Sequence, residues 1–171
     1  VYFGVFDQLV LGEKPLFAFT SRSRRPPQDP INALLSFAYS LLAHDCASAL
    51  ESVGLDAYVG YLHTDRPGRE SLALDLMEEL RPCLADRFVL TLINNRVVHR
   101  DDFQFRENGA VYLTDSGRKV FLTHWQERKK TELKHPYLGE KIPWGLVPYV
   151  QALLLARTLR DDLEEYPPFL W

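Results

Sequence analysis

The stretch from Asp29 to Gly54, DPINALLSFAYSLLAHDCASALESVG, constrains the fold more than any other part of the chain. Asp29 is placed to cap a helix that begins at Pro30, where a missing N–H costs nothing, and Gly54 is placed to close it. Leu34, Leu35, Phe37, Ala38, Leu41, Leu42 and Leu50 cover more than one stripe of this helix. Such a helix must be covered on several sides, so the chain is predicted to be mainly α, with this element central.

The other elements are arranged around it. The opening VYFGVFDQLV carries helix-like apolar spacing at Val1, Phe3, Val5, Phe6 and Leu9, without a cap before it, as though the chain enters partway through a longer protein. Residues 21–30, SRSRRPPQDP, mix three arginines with three prolines and read as an exposed basic loop. A short helix is expected from Asp56 to His63, then a turn through TDRPGRE. Ser71 is placed to start SLALDLMEELRP, which Pro82 should stop. Helical patterning resumes through FVLTLINNR. Residues 97–114 form a β-hairpin around Asn108-Gly109. Asp115 or Ser116 is expected to cap GRKVFLTHWQERKK, and a last helix to run from Trp144 to Glu165 before the aromatic tail YPPFLW. These elements compose one helical domain over residues 1–171 with a single small hairpin.

Composition narrows the function classes. A chain of 171 residues that is 46% hydrophobic can bury one sizeable core. Its net charge of −3 confines any polyanion contact to local patches. Cys46 and Cys83 lack CxxC spacing, which suits a reducing cytoplasm. No apolar run reaches the roughly 20 residues of a bilayer span, so no membrane association is expected.

The chemistry concentrates in GYLHTDRPGRESLALDLMEELRP, residues 60–82. On a helix, Asp75 lies three residues from Glu78 and four from Glu79, so the carboxylates share a face and repel one another. Leu72, Leu74, Leu76, Met77 and Leu80 hold part of that face against apolar packing, where an unpaired charge is expensive. A divalent cation relieves both problems. Oxygen ligands suit Mg²⁺ or Mn²⁺, and an imidazole from His63 shifts the preference toward Mn²⁺. The same spacing also has a structural reading, in which the acids complement the helix dipole or pair with Arg66, Arg69 and Arg81, and His63 is an ordinary hydrogen-bonded histidine. No HExxH, Gly-rich phosphate loop or GxSxG motif competes with either reading.

The words GLDAYVGYLHTDRPGRESLALDLMEELRP, NALLSFAYSLLAHDC, LINNR, QERKK and YPPFLW closely resemble the CRISPR-associated endonuclease/integrase of spacer acquisition, in its type I-C branch. The resemblance implies a longer protein, with an N-terminal β-domain followed by a helical catalytic domain that this sequence covers. It also implies that His63, Asp75 and Glu78 are metal ligands and catalytic residues holding Mg²⁺ or Mn²⁺. A further glutamate is implied just upstream of the opening YF, beyond the start of this sequence. The implied reaction is metal-dependent phosphodiester cleavage and strand transfer, joining foreign DNA fragments to a CRISPR array. The implied partners are DNA, a second copy in a homodimer, and a small ferredoxin-like adaptation subunit. Arg66 and Arg69, and Arg22, Arg24 and Arg25 of the basic loop, are the candidate DNA contacts. Arg128, Lys129 and Lys130 read equally as a solvated face. Asn32 and Tyr39 fall in shared words and rank below the arginines. The alternative is a catalytically silent helical module for dimerisation or DNA docking, weak or inactive for want of the upstream glutamate.

Overall fold

The computed structural model describes residues 2–64 and 66–170, and its regular structure is helical apart from two small antiparallel hairpins. The first residue of the expected opening helix, Val1, and the last residue of the tail, Trp171, lie outside the described residues. The central helix α1 runs Pro30–Ser52. Asp29 Oδ1 accepts the amide of Asn32 at 2.7 Å, and at the other end Gly54 turns with φ 83° while the Leu55 amide reaches back to the Leu50 carbonyl at 3.0 Å. Both ends therefore close as the cap residues require.

The expectation that no apolar stretch is long enough for a bilayer is corrected at this helix. By length and composition α1 could cross a membrane, although Ser36, Ser40, His44 and Asp45 break its apolar run in the sequence. Its Leu34, Leu35, Leu42 and Leu50 are fully buried within the protein, as in a core helix.

The chain divides into two compact units, Val1–Ala38 with Ala85–Glu127, and Tyr39–Leu84 with Arg128–Trp171. In the first, the opening residues form two short 3₁₀ turns, Tyr2–Gly4 and Phe6–Leu9, in place of the expected helix. Asp7 competes for the backbone there, accepting the Phe19 amide at 3.1 Å and pairing with Lys14 at 2.8 Å. Phe6 packs its ring against Phe19 at 5.2 Å, and Phe88 packs edge-on against both Phe121 and Trp125 at 5.1 Å. Strands β1 (Phe103–Phe105) and β2 (Val111–Leu113) pair with Phe103 opposite Leu113, inside the predicted hairpin. Helix α4 (Asp115–Lys130) is capped one residue earlier than expected, because Thr114 Oγ1 takes the Gly117 amide at 3.1 Å.

In the second unit, helix α2 spans Ser71–Leu80. It does not stop at Pro82. A π-helical segment, Arg81–Asp86, carries the chain out of this unit into α3 (Arg87–Asn94) of the first, the wider turn accommodating the proline ring. Strands β3 (Glu132–Lys134) and β4 (Lys141–Pro143) form a second hairpin, whose connection lacks an Asn-Gly signal and instead places Gly139 at φ 70°. Helix α5 covers Val147–Leu159, shorter than expected because Asp161 takes a left-handed φ of 60°. The predicted helix over 56–63 is irregular backbone.

This unit encloses His135, which is 1% exposed. Leu138 donates its amide to His135 Nδ1 at 3.3 Å, and Nε2 faces Gln151 Oε1 at 3.1 Å. Burial is the dominant influence and lowers its pKa, with the Gln151 hydrogen bond opposing it only in part. A lowered folded pKa means that neutral His135 contributes its full stability above the ordinary value of 6.5, and that this is lost as pH falls from there toward the folded value. Urea denaturation across that range is expected to show stability falling by up to about 1.4 kcal/mol per pH unit from this residue, and His135→Gln to flatten the slope.

Candidate metal and DNA site

The irregular segment before α2 is organised by one carboxylate. Asp75 projects from the middle of α2 and is 8% exposed. Its Oδ2 accepts the backbone amides of Tyr61 at 2.6 Å and Leu62 at 2.9 Å, and its Oδ1 accepts the amide of His63 at 2.9 Å. Oδ1 also meets His63 Nδ1 at 2.5 Å. Three consecutive N–H groups converging on an anion form a nest, and a chain so curled cannot be helical. Burial pushes the Asp75 carboxyl up, but the Leu62 amide, the His63 ring and the Tyr61 and His63 amides together outweigh it. The group is held below the usual carboxylate range and stays ionised.

Gly60 is required for this approach. A Cβ there would lie 2.6 Å from Ser71 Cβ and 2.7 Å from the His63 carbonyl oxygen. The Ala57 carbonyl accepts the Leu72 amide at 2.9 Å, so the segment lies directly over the start of α2. His63 is thereby fixed at both backbone and ring. With Nδ1 donating to Asp75, Nε2 is the nitrogen left with a lone pair for a cation.

The two remaining acids diverge. Glu78 is exposed, and its Oε1 pairs with Arg81 Nη1 at 2.6 Å. Arg81 in turn lies over the Tyr39 ring at 4.4 Å, so it steers Glu78 from a guanidinium that is itself held. Glu79 turns inward to Gln151, Tyr166 and the Phe169 amide. The structure thus brings His63 and Asp75 together and gives Glu78 an arginine partner. Among the described residues, no group of three or more His, Cys, Asp or Glu is placed to hold a metal ion.

What the sequence left unseen is the scaffold of this site. The amides of residues 61–63 have no side-chain signature, and Arg81 was legible only as a generic partner for the acids. A Gly three residues before a His, ahead of a helix with an acid at its centre, is the signal that could have pointed to the nest.

The candidate DNA contacts separate as well. Arg66 is exposed and Arg69 half-buried, in a turn closed by the Arg69 amide on the Arg66 carbonyl at 3.0 Å. Arg24 and Arg25 are exposed, whereas Arg22 is drawn into the protein, donating to Asn32 Oδ1 at 2.6 Å and Ser36 Oγ at 3.0 Å. Asn32 is fully buried and also donates to the Ser21 carbonyl at 2.8 Å, so it braces the basic loop. Arg128 stacks over Trp144 at 5.0 Å and Lys129 pairs with both oxygens of Asp45 at 2.9 Å. Those two charges serve packing.

Comparison with known proteins extends the geometry. Residues 1–127 match the family model described as CRISPR associated protein Cas1. The chain is 64% identical over 171 residues to CRISPR-associated endonuclease Cas1 2 of Rhodospirillum rubrum, covering 100% of this chain and 50% of that protein. Among solved structures it superposes on a casposase bound to integration product with a TM-score of 0.87 and 30% identity, covering 99% of this chain and 48% of that one. A partial Cas6-RT-Cas1–Cas2 complex gives a TM-score of 0.79 at 27% identity, covering 99% of this chain and 49% of that one. The chain spans about half the length of the first curated relatives it matches. With a family match over most of its length, the chain belongs to the Cas1 family of CRISPR-associated proteins.

Proposed function

We propose that this chain supplies the helical, metal-binding part of a DNA endonuclease/integrase that inserts foreign DNA fragments into a CRISPR array, in a cytoplasmic type I-C-like system. The observation that carries the reading is the His63–Asp75 pair, an imidazole oriented by a buried, ionised carboxylate, with the exposed Glu78 three residues further along the same helix. Membership of the Cas1 family supports it, as do relatives named CRISPR-associated endonuclease.

The donor set fits a divalent ion of the Mg²⁺ or Mn²⁺ class. Glu78 supplies a hard oxygen donor, His63 Nε2 a nitrogen that shifts the preference toward Mn²⁺, and Asp75 fixes the imidazole orientation that ligation needs. The bound ion would polarise the scissile phosphodiester and activate water or a 3′-hydroxyl for in-line attack. Arg66 and Arg69, on the turn that follows His63, neutralise flanking phosphates and set the register of the DNA without reading its sequence. Arg24 and Arg25 are the exposed cations of the basic loop with the same capacity. Within the assembled protein we further propose a homodimer working with a small ferredoxin-like adaptation subunit; that it works with a partner protein is supported by a neighbour described as a partial Cas6-RT-Cas1–Cas2 complex.

A second reading, a silent module for dimerisation or DNA docking, is favoured by one observation: the described residues bring no three candidate ligands together. The complete protein containing this chain distinguishes the two. With Mn²⁺, His63→Ala is expected to lower DNA cleavage and strand transfer by more than about 100-fold, because ligand loss should exceed the effect of losing an outer partner. Unchanged cleavage in that variant would remove the site assignment, and absence of cleavage in the unaltered protein would favour the silent module.

A further inference from the structure

The tail YPPFLW has no part in the reading above, yet it is attached to the metal-site helix. Glu79 Oε2 accepts three hydrogen bonds, from the Phe169 amide at 2.8 Å, the Tyr166 hydroxyl at 3.1 Å and Gln151 Nε2 at 3.1 Å. Two of the three donors belong to the tail. Gln151, fully buried on α5, also sets its Nε2 2.7 Å from the Tyr166 hydroxyl and 3.2 Å from the Pro167 carbonyl, so its two N–H groups are shared among three acceptors. The Phe169 ring, 4% exposed, lies against His135 at 5.4 Å and Trp144 at 6.0 Å. The tail is therefore bonded through backbone, side chains and rings within one compact unit.

Its anchor is one residue from Glu78 and one turn from Asp75. On a helix of 3.6 residues per turn, Glu78 and Glu79 sit about 100° apart, flanking the direction of Asp75. A force on Glu79 rotates or translates both site carboxylates with it. Each donor removed leaves a half-buried carboxylate short of partners, which favours turning that helix toward water.

We propose that the C-terminal tail is a strap that sets the rotation of α2, and that Glu79 and Tyr166 are positioning residues for the divalent-cation site, acting through the helix without touching the ion. The proposal rests on the metal-site reading given above. Tail docking and cation affinity are then linked, since whatever pulls residues 166–170 from Glu79 weakens the cation site.

The test is Mn²⁺ titration of the complete protein, followed by the electron paramagnetic resonance of free Mn²⁺ in the absence of DNA. Tyr166→Phe, which removes one hydroxyl, and Glu79→Gln, which removes the charge, are each expected to weaken Mn²⁺ binding by about 3- to 10-fold, at the lower edge of the effect of outer partners on metal sites. Leu42→Ala, a buried α1 change outside the strap, serves as the comparison. It should lower the thermal midpoint at least as much while leaving Mn²⁺ affinity within about twofold. Unchanged affinity in both strap variants, or a loss no larger than that of Leu42→Ala, would overturn the strap. Should either strap variant fail to fold, the other is read alone, and Tyr166→Phe is the milder of the two. If the unaltered protein binds no Mn²⁺, or His63→Ala binds it equally well, the metal-site reading itself fails and the strap falls with it.

Discussion

Replacing Asp75 by alanine is expected to cost the folded chain about 3 kcal/mol, since a buried anion that satisfies three backbone amides is removed and those donors are left facing one another. Glu78→Ala, three residues along the same helix, should cost less than about 1 kcal/mol, because it gives up an exposed ion pair with Arg81. Both are expected to abolish detectable Mn²⁺ binding, for different reasons. One loses the group that orients the His63 ring, and the other loses a donor. Urea denaturation alongside Mn²⁺ titration separates them. Equal stabilities for the two variants would mean that the amides of residues 61–63 do not depend on Asp75.

The second large effect is expected at Gly60. Gly60→Ala places a methyl group 2.6 Å from Ser71 Cβ and 2.7 Å from the His63 carbonyl oxygen, distances that real contacts do not reach. The segment has to lift from the start of α2, at a cost of about 1–3 kcal/mol typical of forced overpacking. The lift carries His63 away from Asp75. Stability should therefore fall moderately while Mn²⁺ affinity falls by about 10- to 100-fold, the range in which displaced metal partners act. Gly68→Ala supplies the contrast. Its added Cβ would meet nothing within 4 Å, so only its left-handed φ of 73° is strained and metal binding should hold.

The parts of the fold that the sequence made legible were those fixed by local chemistry. Asp29, Pro30 and Gly54 mark the ends of α1 in residue types whose backbone preferences are strong, and Asn108-Gly109 marks the first hairpin in the same way. The parts that differed depend on groups distant in sequence. Nothing in residues 56–63 shows that Asp75, 14 positions after Tyr61, will gather their amides and prevent a helix. Pro82 is a stop signal by its own chemistry, and only the surrounding packing makes a π turn cheaper than an end. At the site, the residue types His63, Asp75 and Glu78 were visible from spacing and resemblance. Their unequal engagement was not, because the pairing of Glu78 with Arg81 over Tyr39, and of Glu79 with the tail, joins groups up to 90 positions apart.

The nest around Asp75 also frees sequence space next to the site. Tyr61 and Leu62 hold the carboxylate with their backbones, while their side chains stand 67% and 80% exposed. Any amino acid that keeps its N–H can provide the same two bonds, and only proline cannot. Two adjacent positions beside the histidine can thus be recoded, for a different DNA neighbour or for an attached reporter, without disturbing the group that aims the imidazole.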